Sequence, residues 1–115
     1  MIKVIVFDLD GVLVDTKLIH FKALNSALNK FGIDEINYED HIKIFDGLPT
    51  LEKLSLIEKK KKKIPKKYFK KIQKTKQQFT KKLLKNNVKF NKKTRDLFKI
   101  LSKKYKIAVA TNAVR

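Results

Sequence analysis

Val4-Ile5-Val6-Phe7-Asp8-Leu9-Asp10-Gly11-Val12-Leu13-Val14-Asp15-Thr16 decides the fold of this 115-residue chain. The run from Ile2 to Phe7 is β-branched and aromatic, too short for a helix, and closed by turn chemistry, so it is predicted as a buried strand. A strand covered on both faces cannot carry an ionised carboxylate inside the sheet. Asp8 is therefore expected just past the strand's C-terminal end, the edge where ligands bind in open parallel α/β sheets. Asp8 and Asp10 stand two residues apart, and in extended backbone such side chains point the same way. Two carboxylates in one small volume require a cation or a shared proton. Oxygen ligands suit a hard ion such as Mg2+, and an aspartate can also be a nucleophile. Gly11 lets the backbone turn sharply after the pair. An isolated D-x-D is more often a turn with two solvated aspartates. The preceding strand, Gly11 and the trailing Asp15-Thr16 point instead to a site.

Near the other end, Lys106-Ile107-Ala108-Val109-Ala110-Thr111 reads as a second buried strand closed by Asn112. A strand, a crossover and a parallel strand form a right-handed unit, so both strands end at one sheet edge and Asp8 comes beside Thr111. A threonine hydroxyl with exposed amides at a strand end makes a small anion nest.

The run Phe7-Asp8-Leu9-Asp10-Gly11-Val12-Leu13-Val14-Asp15-Thr16 resembles the first motif of the haloacid dehalogenase superfamily, within it the β-phosphoglucomutase and phosphoglycolate phosphatase type with a helical cap after the first strand. Val109-Ala110-Thr111-Asn112 is similar to its second motif. The resemblance implies an α/β fold: a Rossmannoid core, here partial with two parallel strands, and an inserted α-helical cap. It implies Asp8 as nucleophile and Mg2+ ligand, and Asp10 as general acid/base and second Mg2+ ligand. Thr111 and Asn112 would hold the transferring phosphoryl group. The implied reaction is Mg-dependent phosphoryl transfer through an aspartyl-phosphate on Asp8. The substrate would be a small phosphorylated metabolite such as a sugar phosphate. The same two aspartates serve a phosphatase and a phosphomutase, so that choice stays open.

Between the two strands the pattern is helical. Phe21, Leu24, Leu28 and Phe31 form an amphipathic stripe that Gly32 ends. Asn37 with Asp40 three residues on is close to a capping box. Phe45-Asp46-Gly47-Leu48-Pro49-Thr50 is a turn, and Thr50 can cap the next helix, with Leu51, Leu54 and Ile57 as its apolar face. Pro65 reopens a helix on which Phe69, Ile72, Lys76, Phe79 and Leu83 share one stripe. Asn91 can cap a helix to about Lys104 with Leu97, Phe98, Leu101 and Tyr105 buried. His20 is either a half-buried surface histidine or faces the opening of the site. Lys76, a lysine in an apolar stripe, either snorkels to solvent or meets an anionic substrate. Gly47 and Thr50 fall where the resembling proteins carry the cap loop that closes over the reacting centre. The expected division is a core of 1–16 and 87–115 and a helical cap of 17–86, the cap acting as a lid.

Composition bounds the rest. The chain has no cysteine, so no disulfide or thiolate metal site is available. No apolar run approaches a membrane span and no signal pattern opens the chain, so a cytoplasmic protein without membrane contact is expected. The net charge is +18, from 29 Lys+Arg against 11 acids. From Lys59 to Lys85 there is no acidic residue. Such a segment allows an alternative, a non-catalytic basic module contacting nucleic acid or another anionic partner. A Lys-dominated rather than Arg-dominated surface weighs against nucleic acid. The chain stops just after the second motif, before the lysine and acidic residues that the resemblance places downstream. It is therefore expected to be an inactive fragment, a truncated product, or one completed by a second chain. A two-stranded sheet standing alone is also expected to leave an apolar face uncovered.

Overall fold

A computed structural model describes residues 1–9, 12–60, 64–89 and 91–111. The described residues form α/β structure with two compact units, Met1–Thr16 with Val88–Arg115, and Lys17–Asn87.

In the first unit β1 (Val4–Asp8) pairs with β2 (Lys106–Ala110) in parallel, and α5 (Lys92–Leu101) precedes β2. The register sets Val4 opposite Lys106 and Asp8 opposite Ala110. The Lys106 amide donates to the Lys3 carbonyl at 2.9 Å, which pins the start of the pair. Asn91 caps α5, its side-chain oxygen accepting from the Thr94 amide at 3.2 Å. Alternation along β1 turns Ile5 and Phe7 to the partly covered face, and Phe7 meets Phe98 of α5 with ring centroids 5.1 Å apart.

The expectation of strands buried on both faces is corrected here. Val4, Val6 and Val109 are 48%, 60% and 49% exposed. Leu97 and Ile100, on the helix, are 47% and 65% exposed. One helix over two strands covers one face only, so Val4 and Val6 on the other face stay in contact with solvent, while Val109, opposite Phe7, lies on the face that α5 covers in part. The strand boundaries also shift slightly, since Asp8 is the last residue of β1 and not the first beyond it.

The second unit has its own core. Here α1 (Lys17–Lys30) packs against α4 (Phe69–Asn87), and α3 (Thr50–Lys60) also touches α4. Leu24, Leu28, Leu54 and Ile72 are fully buried, with Ile36, Phe45, Ile57 and Ile64 nearly so. Gly32 ends α1 with φ +69°, and the Ile33 amide reaches back to the Leu28 carbonyl at 3.0 Å. Asn25, 5% exposed, acts as a peptide mimic towards Ile36, donating to its carbonyl at 2.9 Å and accepting from its amide at 3.0 Å. This satisfies backbone groups that burial would otherwise leave unpaired.

After Asn37, which caps through the Asp40 amide at 2.7 Å, come α2 (Tyr38–Asp40) and a π-helical turn, His41–Phe45. Leu51 is 40% exposed where the apolar spacing put it inside, and Lys53 is 5% exposed. The helix α3 begins at Thr50 itself, one residue earlier than a Thr50 cap would require, and the Pro49 carbonyl accepts the Lys53 amide at 3.0 Å. Leu54 and Ile57 stay buried as the spacing predicts, and Lys53 lies about 100° round the helix from Leu54, at the margin of that face.

The asymmetry between the units is measurable. Leu24→Ala is expected to lower unfolding stability by about 2–5 kcal/mol. Val6→Thr on the open strand face is expected to change it by only about 0.5 kcal/mol or less. Urea unfolding of the two variants beside wild type checks the contrast.

Candidate active site

The edge at the C-terminal ends of β1 and β2 is built by register alone. Asp8 pairs with Ala110, so Thr111 is the next residue beyond its partner. Both Asp8 and Thr111 are exposed. Past Asp8 the chain curls back, the Leu13 and Val14 amides both donating to the Leu9 carbonyl at 3.1 Å. Asp10 and Asn112 lie outside the described residues. The Asp8 carboxylate offers hard oxygen donors, and Mg2+ commonly takes one or two carboxylates and keeps its remaining ligands as waters and substrate oxygens. Among the described residues no three His, Cys, Asp or Glu side chains gather into a metal cage. An edge with one described carboxylate fits that open kind of Mg2+ site and not an enclosed one.

The other sequence-predicted residues lie in the helical unit. His20 sits on α1 and Lys76 on α4, and the Lys76 ammonium lies 3.3 Å from the His20 Nδ1. The lysine in the apolar stripe thus neither stands alone nor runs straight to bulk water; both side chains are half-buried. Gly47 takes φ +77°, a left-handed conformation that favours glycine, in the turn leading to α3. Thr50 is the first residue of that helix. Asp46, in the same turn, pairs with Lys17 of α1 at 3.6 Å. His20 and Lys76 are brought together, while Gly47 and Thr50 share a turn.

A sequence model of the haloacid dehalogenase-like hydrolases matches residues 5–115, nearly the whole chain and both strand-end motifs. The chain belongs to this family. No curated protein sequence matches it. Among solved structures it is similar to CbbY from Rhodobacter sphaeroides in complex with phosphate, at TM-score 0.79 and 22% identity over 99% of this chain and 52% of that one. The same protein in complex with xylulose-1,5-bisphosphate gives TM-score 0.78 and 21% identity over 99% and 52%. A haloacid dehalogenase hydrolase of family IA, variant 3, from Entamoeba histolytica gives TM-score 0.77 and 22% identity over 99% and 50%. These likenesses are of fold. The chain spans about half the length of the structures it matches.

Two residues of this haloacid dehalogenase-like chain escaped the sequence reading. His41 is fully buried, and among the described residues neither ring nitrogen has a hydrogen-bond partner. Phe21 lies 5.3 Å from its ring centroid and Tyr38 stacks at 6.2 Å. Burial holds its pKa below the ordinary 6.5, Lys53 and Lys76 push the same way, and Asp46 and the Lys17 backbone oppose them. The Lys53 ammonium is likewise held below its ordinary 10.5 by burial, with Asp46 opposing. A histidine just after a capped turn and a lysine one position before Leu54 of the apolar face give little signal. Only the helix phase sends them inward.

The sign of the pH effect follows. His41 is easier to protonate unfolded than folded, so its contribution to stability is intact above 6.5 and lost as pH falls through its lowered folded value. Lys53 acts with the same sign in a window starting below 10.5. Replacing His41 with Phe, which keeps a flat ring beside Phe21 and Tyr38, is expected to reduce the acid-side loss. Urea unfolding at about pH 5 and about pH 7.5 measures that slope, and an unchanged slope in His41→Phe would assign it to other groups.

Proposed function

We propose that this chain carries the nucleophile half of a phosphoryl-transfer site acting on a small phosphorylated metabolite, a sugar phosphate by preference. The observation that carries the reading is the register of Asp8 opposite Ala110, which brings Thr111 to the same edge in a chain of the haloacid dehalogenase-like family. Binding of xylulose-1,5-bisphosphate by a protein of the same fold supports the substrate class.

In this proposal the Asp8 carboxylate attacks phosphorus in line, and the ester oxygen leaves with a proton from Asp10. A water that gives its proton to Asp10 then attacks the aspartyl-phosphate, which releases phosphate and restores Asp8. The Thr111 hydroxyl and the amides at Thr111 and Asn112 hold the equatorial oxygens. Asp8 and Asp10 would hold Mg2+, and the chemistry such an ion supplies when bound is neutralisation of phosphoryl charge. The helical unit of residues 17–86 would serve as the lid, with His20, Gly47, Thr50 and Lys76 towards substrate. A phosphomutase would use the same two aspartates and differ in returning the phosphoryl group to sugar instead of water.

The 115-residue chain by itself is proposed to turn over poorly. Its two-stranded sheet leaves Val4 and Val6 exposed, so the backbone that aims Asp8 is held from one face. Catalysis by preorganised charge is sensitive to such looseness, and losing one stabilising group costs about 10²–10³ in rate. Hydrolysis of a small sugar phosphate with Mg2+ by the purified chain, beside Asp8→Asn, tests this. The expected outcome is turnover far under the ordinary range of about 1–10³ per second. Any residual activity should vanish in Asp8→Asn, and activity that survives that change would remove Asp8 as nucleophile.

A further inference from the structure

We propose that a cleft between α1 and α4 binds a purine mononucleotide, at a site on the helical unit that uses neither Asp8 nor Thr111. The cleft has a volume of about 380 Å³, and its lining includes Phe21 and Lys22 of α1, Phe79, Lys82 and Leu83 of α4, and Glu35 of the loop after α1. A volume of that order suits a small molecule. Helical spacing builds the cleft. On α4, Phe79, Lys82 and Leu83 stand at steps of three and four and share one face, and α1 packs against that helix. The two rings are held in place. The ring centroid of Phe21 lies 5.2 Å from Tyr38, edge to face, and 5.3 Å from His41, while Phe79 packs against the buried core. Both phenylalanines are only half-buried, so ring surface is left at the cleft.

The lining specifies the ligand. Two lysines, one from each helix, stand at the cleft with one carboxylate, and neither α1 nor α4 contains an acidic residue. That balance disfavours a cation and matches an anionic head. Phe21, Phe79 and Leu83 form an apolar floor, which a bare inorganic anion leaves unused and a flat ring covers by stacking or edge contact. Glu35 already accepts from the Asn29 side-chain amide at 2.6 Å. An ionised carboxylate only accepts, so Glu35 favours a ligand that brings its own N–H or O–H donors. A simple aryl carboxylate has none at neutral pH. A purine mononucleotide has all three parts: a phosphate for the lysines, a flat base for the rings, and hydroxyl or amino donors for the carboxylate. Lys22 and Lys82 are exposed, so their pull on the phosphate is screened by salt. The inference stands on the cleft alone and does not require the phosphoryl-transfer reading.

The test uses the whole 115-residue chain. AMP, adenosine and inorganic phosphate are titrated separately at low salt, with affinity read by equilibrium dialysis and position by amide NMR shifts. AMP is expected to bind, with shifts centred on residues 21–26 and 79–86. Adenosine and phosphate are each expected to bind about tenfold more weakly, since each lacks one half of the contacts. The double variant Lys22→Gln with Lys82→Gln is expected to weaken AMP about tenfold and leave adenosine unchanged. Phe79→Leu keeps apolar bulk and removes the ring, and is expected to weaken AMP and adenosine alike, about fivefold. Lys70→Gln with Lys74→Gln changes exposed lysines of α4 that do not line the cleft, and is expected to alter AMP affinity by less than about twofold. Asp8→Asn is expected to bind AMP as wild type does, so the cleft can stand even if catalysis by Asp8 fails. The proposal is overturned if AMP does not bind at about 1 mM, or if adenosine binds as tightly as AMP. It is also overturned if the two lysine pairs cost the same, which would assign the phosphate to the general basic surface, or if Asp8→Asn abolishes binding, which would place the nucleotide at the strand edge.

Discussion

The parallel pairing of β1 with β2 is the constraint on which the candidate active site depends. Asp8 and Thr111 are at opposite ends of the sequence and meet because Asp8 falls opposite Ala110. A slip of one residue would turn every side chain of a strand to the other face. The register is held by the Lys106 amide at its start and by the Phe7–Phe98 contact on the covered face. The chemistry at the sheet edge therefore depends on apolar packing a few residues before it.

The two units bury their residues very differently. Among the described residues, the buried hydrophobic core from Ala23 to Ile72 lies wholly in the helical unit. That unit also carries the acid-free lysine segment, and the conflict is resolved by helical phase. On α4, Ile72 is fully buried while most lysines are exposed. The sheet unit has aromatic contact on one face and exposed valines on the other. An open apolar strand face of this sort is a site of association in most proteins that have one.

Within the helical unit the polar interior shows both outcomes of burial. Asn25 is buried and fully used, with a donor and an acceptor matched to Ile36. His41 is buried with neither ring nitrogen matched among the described residues. The first arrangement fixes a loop. The second leaves an imidazole that burial holds neutral, with its pKa lowered.

The sequence by itself determined what local pattern and motif can carry. The two strands, the helices ended by Gly32 and begun at Asn37 and Asn91, and the meeting of Asp8 with Thr111 all follow from apolar period, capping residues and the handedness of a crossover. The motif around Asp8 was legible because it combines a strand, two acids and a glycine in ten residues. The tertiary structure alone decided which faces are covered. Strand composition reads as burial on both faces and the count of two strands as one face uncovered; the packing of α5 decided that Val4 and Val6 are on the uncovered one. It also decided the margins of the buried face of α3, which leaves Leu51 exposed and takes in Lys53 beside Leu54 and Ile57. It brought Lys76 to His20 and closed Phe21 and Tyr38 around His41, contacts between residues on different helices. Helix periodicity specifies a stripe to within about one residue, or about 100°. At that margin a charged side chain passes from solvent to interior, and only packing against the neighbouring helices settles which it is.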